Sequence, residues 1–133
     1  MGNAMRALLI LLAFTQHYLL MGPIQDAVVS GDFSPFRDVC SERVSVNMEE
    51  PLALRGNFEK NRFIKNMTAG FSEFKVVSME WISKHIWEDY AVQSLNLRMK
   101  NIRNGRDEVY KLIFFMKREQ KEWTLYYLRG IRL

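Results

Sequence analysis

Three side chains could take part in acid–base chemistry if the fold placed them together: His85, Tyr110 and Asp26. General acid–base catalysis needs an imidazole or carboxylate in a buried site that faces a proton donor, because burial tunes its pKa. His85 has the same strand parity as Trp81 and Trp87, and Tyr110 lies on another predicted strand. Two plainer interpretations stay open, namely that His85 lies at the rim of the sheet and that Asp26 is a surface charge on a helix.

The chain offers little for metal or nucleophilic chemistry. His17, His85 and Cys40 are its only histidine and cysteine side chains, and none lies at metal-ligand spacing from another. The sequence contains no nucleophile elbow, phosphate-binding loop or dinucleotide fingerprint. A lone Cys40 is more typical of a small core residue than of a nucleophile. We therefore expect no metal and no cofactor.

The last 60 residues, from Phe74 to Leu133, predict an antiparallel meander of four strands. Apolar residues recur at alternate positions, which is the pattern of a strand packed on one side and solvated on the other. The Asn104–Gly105 pair predicts the hairpin between the second and third strands, since both residues tolerate positive φ. The closing strand from Trp123 is apolar at both parities, which predicts a central strand, a bulge near Arg129–Gly130, or both.

The presumed inner positions of this sheet are all apolar, which weighs against an enzyme. An interior rich in methionine and aromatic residues fits either a plain core or a pocket for a small hydrophobic ligand. If the interior is a pocket, we expect Trp81, Leu97, Met99 and Phe114 to line it. The presumed inner positions are Val77, Met79, Leu95, Leu97, Met99, Leu112, Phe114 and Met116.

Residues 1–15 predict a signal peptide. Arg6 precedes the apolar run of residues 7–14, whose length suits the central region of an export signal. Polar residues at 15–17 break the run, so it is shorter than the roughly 18 residues that a membrane span needs. We expect one mature domain of residues 16–133, exported to the periplasm or the medium, with no stable membrane span. The alternative is a buried amino-terminal helix in a cytosolic protein.

The segment between the signal and the meander predicts short elements. A helix over Tyr18–Ser30 carries an apolar stripe. Ser34–Pro35 supplies an N-cap and a first-turn proline, and so begins a second, short helix. A strand follows over Val44–Met48. A further helix covers Asn57–Thr68, with Asn57 as its N-cap and Phe58 among its buried residues.

The formal net charge is +4, but the basic residues concentrate near the carboxyl end. From Arg98 to Leu133 there are ten lysines and arginines against four acidic residues. Such asymmetry can mark a surface for nucleic acid or another anionic polymer. These cations alternate with apolar residues, which favours the simpler interpretation that they solvate the outer face of the sheet. We therefore expect no nucleic-acid partner, with a basic contact surface as the alternative.

Aromatic and aliphatic residues also occupy the other parity of the last two strands, where a one-sided sheet would carry polar residues. Exposed aromatic side chains on a sheet face indicate a partner. The sequence therefore predicts a homodimer that forms through the open face of the sheet. The residues concerned are Ile113, Trp123, Tyr126 and Tyr127.

The order of elements resembles that of a known superfamily. Residues Ile24–Phe33, a helix followed by a Gly-Asp pair, are similar to the opening of nuclear-transport-factor-like proteins, which include the SnoaL-like and ketosteroid-isomerase-like groups. The strand over Val44–Met48 and the helix with Phe58 and Phe63 extend the resemblance. With the closing strand from Trp123, it covers nearly all of the predicted mature chain.

This resemblance implies an α+β cone, in which a curved antiparallel sheet wraps around amino-terminal helices as in cystatin-like folds. Such cones often hold a pocket at the wide end and are often dimers. The chain looks most similar to a small exported bacterial branch with no assigned function. Because the superfamily contains enzymes and binding modules, we predict an exported, non-catalytic binding or protein-interaction module. The alternative is a small lyase or isomerase that uses His85 and Tyr110.

Overall fold

The computed structural model describes residues 18–133, which form two α-helices, a 3-10 helix and six strands. The predicted signal peptide of residues 1–15 lies outside the described residues. In chain order the elements are α1 (Met21–Ser30), the 3-10 helix (Ser34–Asp38), β1 (Cys40–Met48), β2 (Arg55–Glu59), α2 (Lys60–Phe71), β3 (Phe74–Ile86), β4 (Tyr90–Asn101), β5 (Asp107–Glu119) and β6 (Glu122–Arg132).

The six strands form one curved, open sheet in the order β2-β1-β6-β5-β4-β3. Strands β3 to β6 pair as antiparallel neighbours, which confirms the predicted meander. Gly105 has a φ of 70° in the β4–β5 turn, where the sequence predicts a hairpin. Strand β1 pairs with β6 in parallel, so the sheet is mixed and β6 is central.

The helices pack on one face of the sheet, which we call the inner face because it carries the buried core. Helix α1 ends at Gly31, which has a φ of 78° and donates its N–H to the Ala27 carbonyl oxygen at 2.8 Å. Glycine is favoured there because the position is left-handed. No helix among residues 18–133 is long and apolar enough to cross a membrane. The two α-helices bury Ile24, Ala27, Val28, Phe63, Ile64, Met67 and Phe71.

The prediction was wrong at the start of α2. Residues 55–59 form β2, a polar edge strand that pairs with β1. The presumed N-cap Asn57 therefore lies in a strand, and Phe58 lies in the same strand rather than in the helix. The true cap is Glu59, whose side chain accepts a hydrogen bond from the Asn61 N–H at 3.2 Å. A strand of five mostly polar residues shows no alternation of apolar and polar positions. Its sequence therefore cannot be distinguished from the capped start of a helix.

Two irregularities in β3 decide which of its side chains reach the inner face. The pairing with β4 skips Val77, which is 55% exposed, so the prediction that Val77 points inward is wrong. Val76 takes the inner position opposite Met99. The pairing also skips Ile82. Each extra residue reverses which alternate positions of the strand face inward. The residues after Ile82 therefore point to the face opposite to the one that a regular alternation counted from Trp81 predicts.

Strand β6 is central, which is one of the predicted alternatives, and its bulge lies at Tyr126 rather than near Arg129–Gly130. Its pairing with β5 skips Tyr126 and is regular across Arg129–Gly130. Because of the extra residue, Leu125 and Leu128 both face the core while Tyr126 and Tyr127 both face outward. The bulge accounts for a strand that is apolar at both parities.

Candidate functional site

His85 lies on the outer face near the end of β3, and its side chain is exposed. It pairs with Val92 of β4, and its ring centroid is 4.4 Å from that of Trp87. The sequence placed His85 on the same face as Trp81, but the bulge at Ile82 puts the two on opposite faces. The position matches the alternative interpretation of His85 as a rim residue.

Tyr110 is completely buried on the inner face. Its hydroxyl donates to the main-chain carbonyl oxygen of Glu49 at 2.7 Å. A Cβ built on Gly130 would lie 2.6 Å from the Tyr110 side chain, so the ring packs directly on the Gly130 backbone. Burial, together with the charges of Glu49 and Glu50, raises the pKa of Tyr110 above its ordinary value of 10.0. The neutral hydroxyl therefore serves to hold the segment that follows β1.

The structure does not bring the three acid–base candidates together. The β4 partners of His85 and Tyr110 are five residues apart, which is about 17 Å along a strand, and the two side chains lie on opposite faces. Asp26 is exposed on α1, where its main-chain carbonyl oxygen accepts from the Ser30 hydroxyl at 2.6 Å. The described residues thus assemble no acid–base pair from these candidates.

Three of the four predicted ligand-lining residues, Leu97, Met99 and Phe114, are at most 1% exposed and belong to the core. The fourth, Trp81, is partly exposed, with its ring centroid 6.4 Å from that of Phe114. The Tyr18 ring stacks on Trp81 at 4.5 Å with an interplanar angle of 18°. The chain itself therefore covers the one candidate that a ligand could reach. Other predicted inner positions that contact the core are Met79, Leu95, Leu112 and Met116.

Sequence reasoning missed Gln93, a fully buried polar residue on the inner face of β4. Its Oε1 accepts from the Leu19 N–H at 2.9 Å, and its Nε2 donates to the Leu19 carbonyl oxygen at 2.5 Å. Both ends of the amide are therefore satisfied by the main chain of one residue. The signal was present, because the alternation that places Leu95 and Leu97 inside also places Gln93 inside.

The outer face of β5 and β6 carries partly exposed apolar side chains, Ile113, Phe115, Tyr126 and Tyr127, which we call the outer aromatic patch. The Phe115 and Tyr127 rings pair edge to face across the strands, with centroids 5.0 Å apart. Tyr126 makes an edge contact with the exposed ring of Tyr90 at 6.3 Å. Clustered apolar side chains on a sheet face are typical of interaction surfaces.

Lys117 borders the outer aromatic patch, and further cations lie elsewhere on the same face, as predicted for residues that solvate it. The Lys117 ammonium lies 5.7 Å from the ring centroid of Tyr126. Trp123 does not join the patch, because it packs partly against the core, with the Arg118 guanidinium 4.8 Å from its ring centroid. By strand register the same face also carries Arg98, Lys100 and Lys111.

Cys40 is part of the core. It is 4% exposed, and burial raises the pKa of its thiol to about 11, so the thiol stays protonated at neutral pH. Within residues 18–133, His, Cys, Asp and Glu side chains form no group of three or more that could hold a metal ion.

No protein-family model and no curated protein matches the sequence. Solved structures do match. A DUF4783 family protein from Bacteroides uniformis superposes with a TM-score of 0.72 at 14% identity, over 86% of this chain and 97% of that chain. A DUF4783 family protein from Bacteroides ovatus gives a TM-score of 0.69 at 14% identity, over 84% and 94% of the two chains.

An NTF2-like protein from Cytophaga hutchinsonii superposes with a TM-score of 0.60 at 12% identity, over 84% of this chain and 90% of that chain. Likeness at such low identity concerns the fold. The chain has the nuclear-transport-factor-like α+β cone fold, which confirms the resemblance drawn from its sequence.

Proposed function

We propose that this chain is an exported, non-catalytic interaction module that forms a homodimer through the outer face of its sheet. The observation that carries the proposal is the outer aromatic patch. Phe115 and Tyr127 place two rings side by side on the solvated face of the two strands β5 and β6. Burying such a patch against a second copy would remove apolar surface from water, which is the main driving force for association.

The use of the polar groups supports a non-catalytic role. The Tyr110 hydroxyl is engaged by the Glu49 carbonyl oxygen, and both ends of the Gln93 amide are engaged by Leu19. His85 lies on the other face of the sheet from Tyr110. A catalytic pair needs groups within hydrogen-bond reach of one substrate, and these groups face different parts of the fold.

Salt dependence separates a homodimer from the anionic-polymer alternative. Association through the outer aromatic patch rests on burial of apolar surface, and Lys117 beside the patch is already paired with Glu119 at 2.8 Å, so added salt should not weaken the homodimer. Binding to an anionic polymer would instead weaken with salt, because it releases counterions. The sign of the salt dependence therefore distinguishes the two partners.

The test is Tyr127→Lys, which adds a cation to the centre of the patch. We expect the dimer dissociation constant, measured by sedimentation equilibrium, to rise about 100-fold, because a buried unpaired charge opposes association. Val29→Lys on the exposed side of α1 is the matched control and should leave it unchanged. A wild-type chain that stays monomeric at about 100 μM would contradict the homodimer, because a dissociation constant above that concentration is weaker than that of most specific interfaces. Tighter binding of Tyr127→Lys to an anionic polymer would favour the alternative.

Export is supported by the signal-like pattern of residues 1–15. Intact mass spectrometry of the chain recovered outside the cytoplasm should show a protein that begins at Gln16. A recovered chain that retains residues 1–15 would contradict a cleaved signal.

A further inference from the structure

The aromatic side chains of the outer face continue beyond the outer aromatic patch. Tyr126 of the patch contacts the ring of Tyr90, and the Trp87 N–H donates to the Tyr90 carbonyl oxygen at 2.7 Å across the β3–β4 turn. The ring centroid of Trp87 in turn lies 4.4 Å from that of His85. His85, Trp87 and Tyr90, which we call the aromatic extension, therefore join the patch in one continuous arc.

The aromatic extension is open to solvent in the single chain. Trp87 is 53% exposed, Tyr90 is 54% exposed, and the His85 side chain is exposed as well. Neighbouring exposed aromatic side chains are typical of interaction surfaces. The other flank of the patch is polar, because Ser45 and Asn57 of β1 and β2 lie there and their side chains hydrogen-bond to each other at 2.8 Å. The apolar surface therefore extends from the patch toward β3 and not toward β2.

The size of a stable interface decides whether the aromatic extension takes part in the homodimer. A specific interface buries about 800 Å² per partner, which corresponds to a square of about 28 Å on a side. His85 pairs with Val92 of β4, which pairs with Phe115 of the patch, so two strand spacings, about 10 Å, separate His85 from Phe115. An interface of ordinary size centred on the patch reaches about 14 Å in each direction. Such an interface includes His85.

The charged groups around His85 are paired, exposed or on the other face. Lys84, the residue before it, lies on the inner face by strand register. Lys117 of β5 is paired with Glu119 at 2.8 Å. Within residues 18–133 His85 itself forms no ion pair, so solvation governs the free energy of its charged form. The remaining titratable or charged groups at this end of the sheet are Tyr90 of β4, Arg118 of β5, Tyr126 of β6, and the exposed Glu88 and Asp89 of the β3–β4 turn.

We infer that the homodimer interface includes the aromatic extension and that protonation of His85 dissociates the dimer. A histidine side chain ordinarily gains a proton at about pH 6.5. Burial against a second copy disfavours the charged form, because the imidazolium loses its water. Proton uptake therefore favours the separate chains, and the dimer dissociation constant rises as the pH falls. This inference rests on the proposed homodimer.

The symmetry of a homodimer sets the size of the effect. Each copy contributes one His85, so the dimer excludes two protons that the separate chains bind. Between pH 7.5 and pH 5.5, complete exclusion from one ordinary histidine weakens association about tenfold, and exclusion from two weakens it about 100-fold. Incomplete burial gives less. We expect the dissociation constant to rise between about 10-fold and 100-fold over this range.

The test is sedimentation equilibrium of the chain at pH 7.5 and pH 5.5, with circular dichroism at both pH values to show that the fold is intact. His85→Gln keeps a neutral polar side chain and should remove the pH dependence. His17→Gln, at the only other histidine of the chain, is the matched control and should behave as the wild type does. His85→Lys carries a permanent charge and should dimerise about as weakly at pH 7.5 as the wild type does at pH 5.5.

The outcomes separate this inference from the homodimer itself. A dimer whose dissociation constant is the same at both pH values would overturn the inference and leave the homodimer standing. Equal pH dependence in the wild type and His85→Gln would do the same, since another group would then carry the effect. A wild-type chain that is monomeric at about 100 μM and pH 7.5 would refute the homodimer and the inference together.

A nuclear magnetic resonance titration tests the same inference without a change at His85. The ring protons of His85 should titrate at a lower pH in the wild-type dimer than in Tyr127→Lys, which the homodimer proposal makes monomeric. Identical titration midpoints in a wild-type dimer and in Tyr127→Lys would place His85 outside the interface.

Discussion

Two buried polar side chains on the inner face, Tyr110 and Gln93, both bind main-chain groups far away in the sequence, but they hold them in different ways. Tyr110 binds the carbonyl oxygen of Glu49, 61 residues away, and Gln93 binds Leu19, 74 residues away. The surroundings of Glu49 are cross-linked by other bonds. Its N–H donates to the Gly130 carbonyl oxygen at 3.0 Å, and its carboxylate accepts from the Arg132 N–H at 3.0 Å.

Leu19, by contrast, has no strand partner among the described residues and is followed directly by the left-handed Leu20. The same kind of bond therefore serves two purposes. At Tyr110 it closes a joint between strands that other hydrogen bonds also hold, and at Gln93 it anchors the turn that precedes α1, where Leu19 and Leu20 pack against the core. The following variants should widen or erase this difference, beginning with the largest effect.

Gly130→Ala should be the most damaging change. Its Cβ would lie 2.6 Å from the Tyr110 side chain, closer than any relaxed contact, so either the ring or the β6 backbone must shift. We expect the free energy of unfolding to fall by about 2–3 kcal/mol, the range of overpacked cores. Urea unfolding measures the loss.

Gly22→Ala is the matched control, because nothing lies within 4 Å of the corresponding Cβ in α1. It should be neutral or stabilise by up to about 1 kcal/mol, the helix preference of alanine over glycine. Equal changes in the free energy of unfolding for Gly130→Ala and Gly22→Ala would mean that Tyr110 does not pack on Gly130. In that case a Gly130→Ala/Tyr110→Leu double variant would also show no coupling.

Tyr110→Phe should destabilise less, by about 1 kcal/mol, because it removes one hydrogen bond and leaves the ring in place. It should also change the alkaline behaviour. The pKa of Tyr110 is raised above 10.0 in the folded state, so above that pH the unfolded chain binds fewer protons than the folded one and stability falls.

The wild-type chain should therefore lose stability from about pH 10 upward with a steeper slope than Tyr110→Phe. Chemical unfolding at a series of pH values measures both slopes, with Tyr90→Phe as the control at an exposed tyrosine. Parallel slopes for the wild type and Tyr110→Phe would contradict a buried, neutral hydroxyl.

Gln93→Leu should change the free energy of unfolding by less than about 1 kcal/mol, because an apolar residue of similar shape replaces the amide and the freed Leu19 groups can meet water. Its effect should be local instead. Hydrogen exchange of residues 18–20 should accelerate about tenfold while that of β4 and β5 stays unchanged. A global loss as large as that of Tyr110→Phe would erase the difference between the two sites.

Glu108→Gln should have the smallest effect. Glu108 accepts from Arg132 at 2.9 and 2.6 Å, and these hydrogen bonds hold the pKa of its carboxyl below its ordinary value of 4.5. As the pH falls, Glu108 takes up a proton in the unfolded chain before it does so in the folded chain. The stabilisation from the pair with Arg132 is therefore present above pH 4.5 and is lost as the pH falls below that value. Solvent and salt screen this surface pair.

Acid unfolding of Glu108→Gln should accordingly show a shallower slope below pH 4.5 than the wild type does. Glu88→Gln, in the β3–β4 turn, is the control. A slope that does not change would mean that the pair with Arg132 contributes nothing to folding.

Much of the fold could be predicted because its signals are local. Alternation along β4 and β5 and the Asn104–Gly105 turn each depend on residues close in sequence, and the structure has both. The predictions failed where one residue changed the phase of a strand. Val77 and Ile82 in β3 and Tyr126 in β6 are extra residues, and nothing in a single strand distinguishes a bulge from a regular position.

The sequence by itself determined the fold class, the meander, the faces of β4 and β5 and the apolar composition of the inner face. These depend on the period of side-chain facing and on the backbone preferences of glycine and asparagine, which act over a few residues. Only the tertiary structure decided that His85 points outward, that Tyr110 holds Glu49 and that Gln93 holds Leu19. Those outcomes follow from strand register and from contacts across more than 60 residues, because a buried polar group takes whichever partner the packed fold brings within reach.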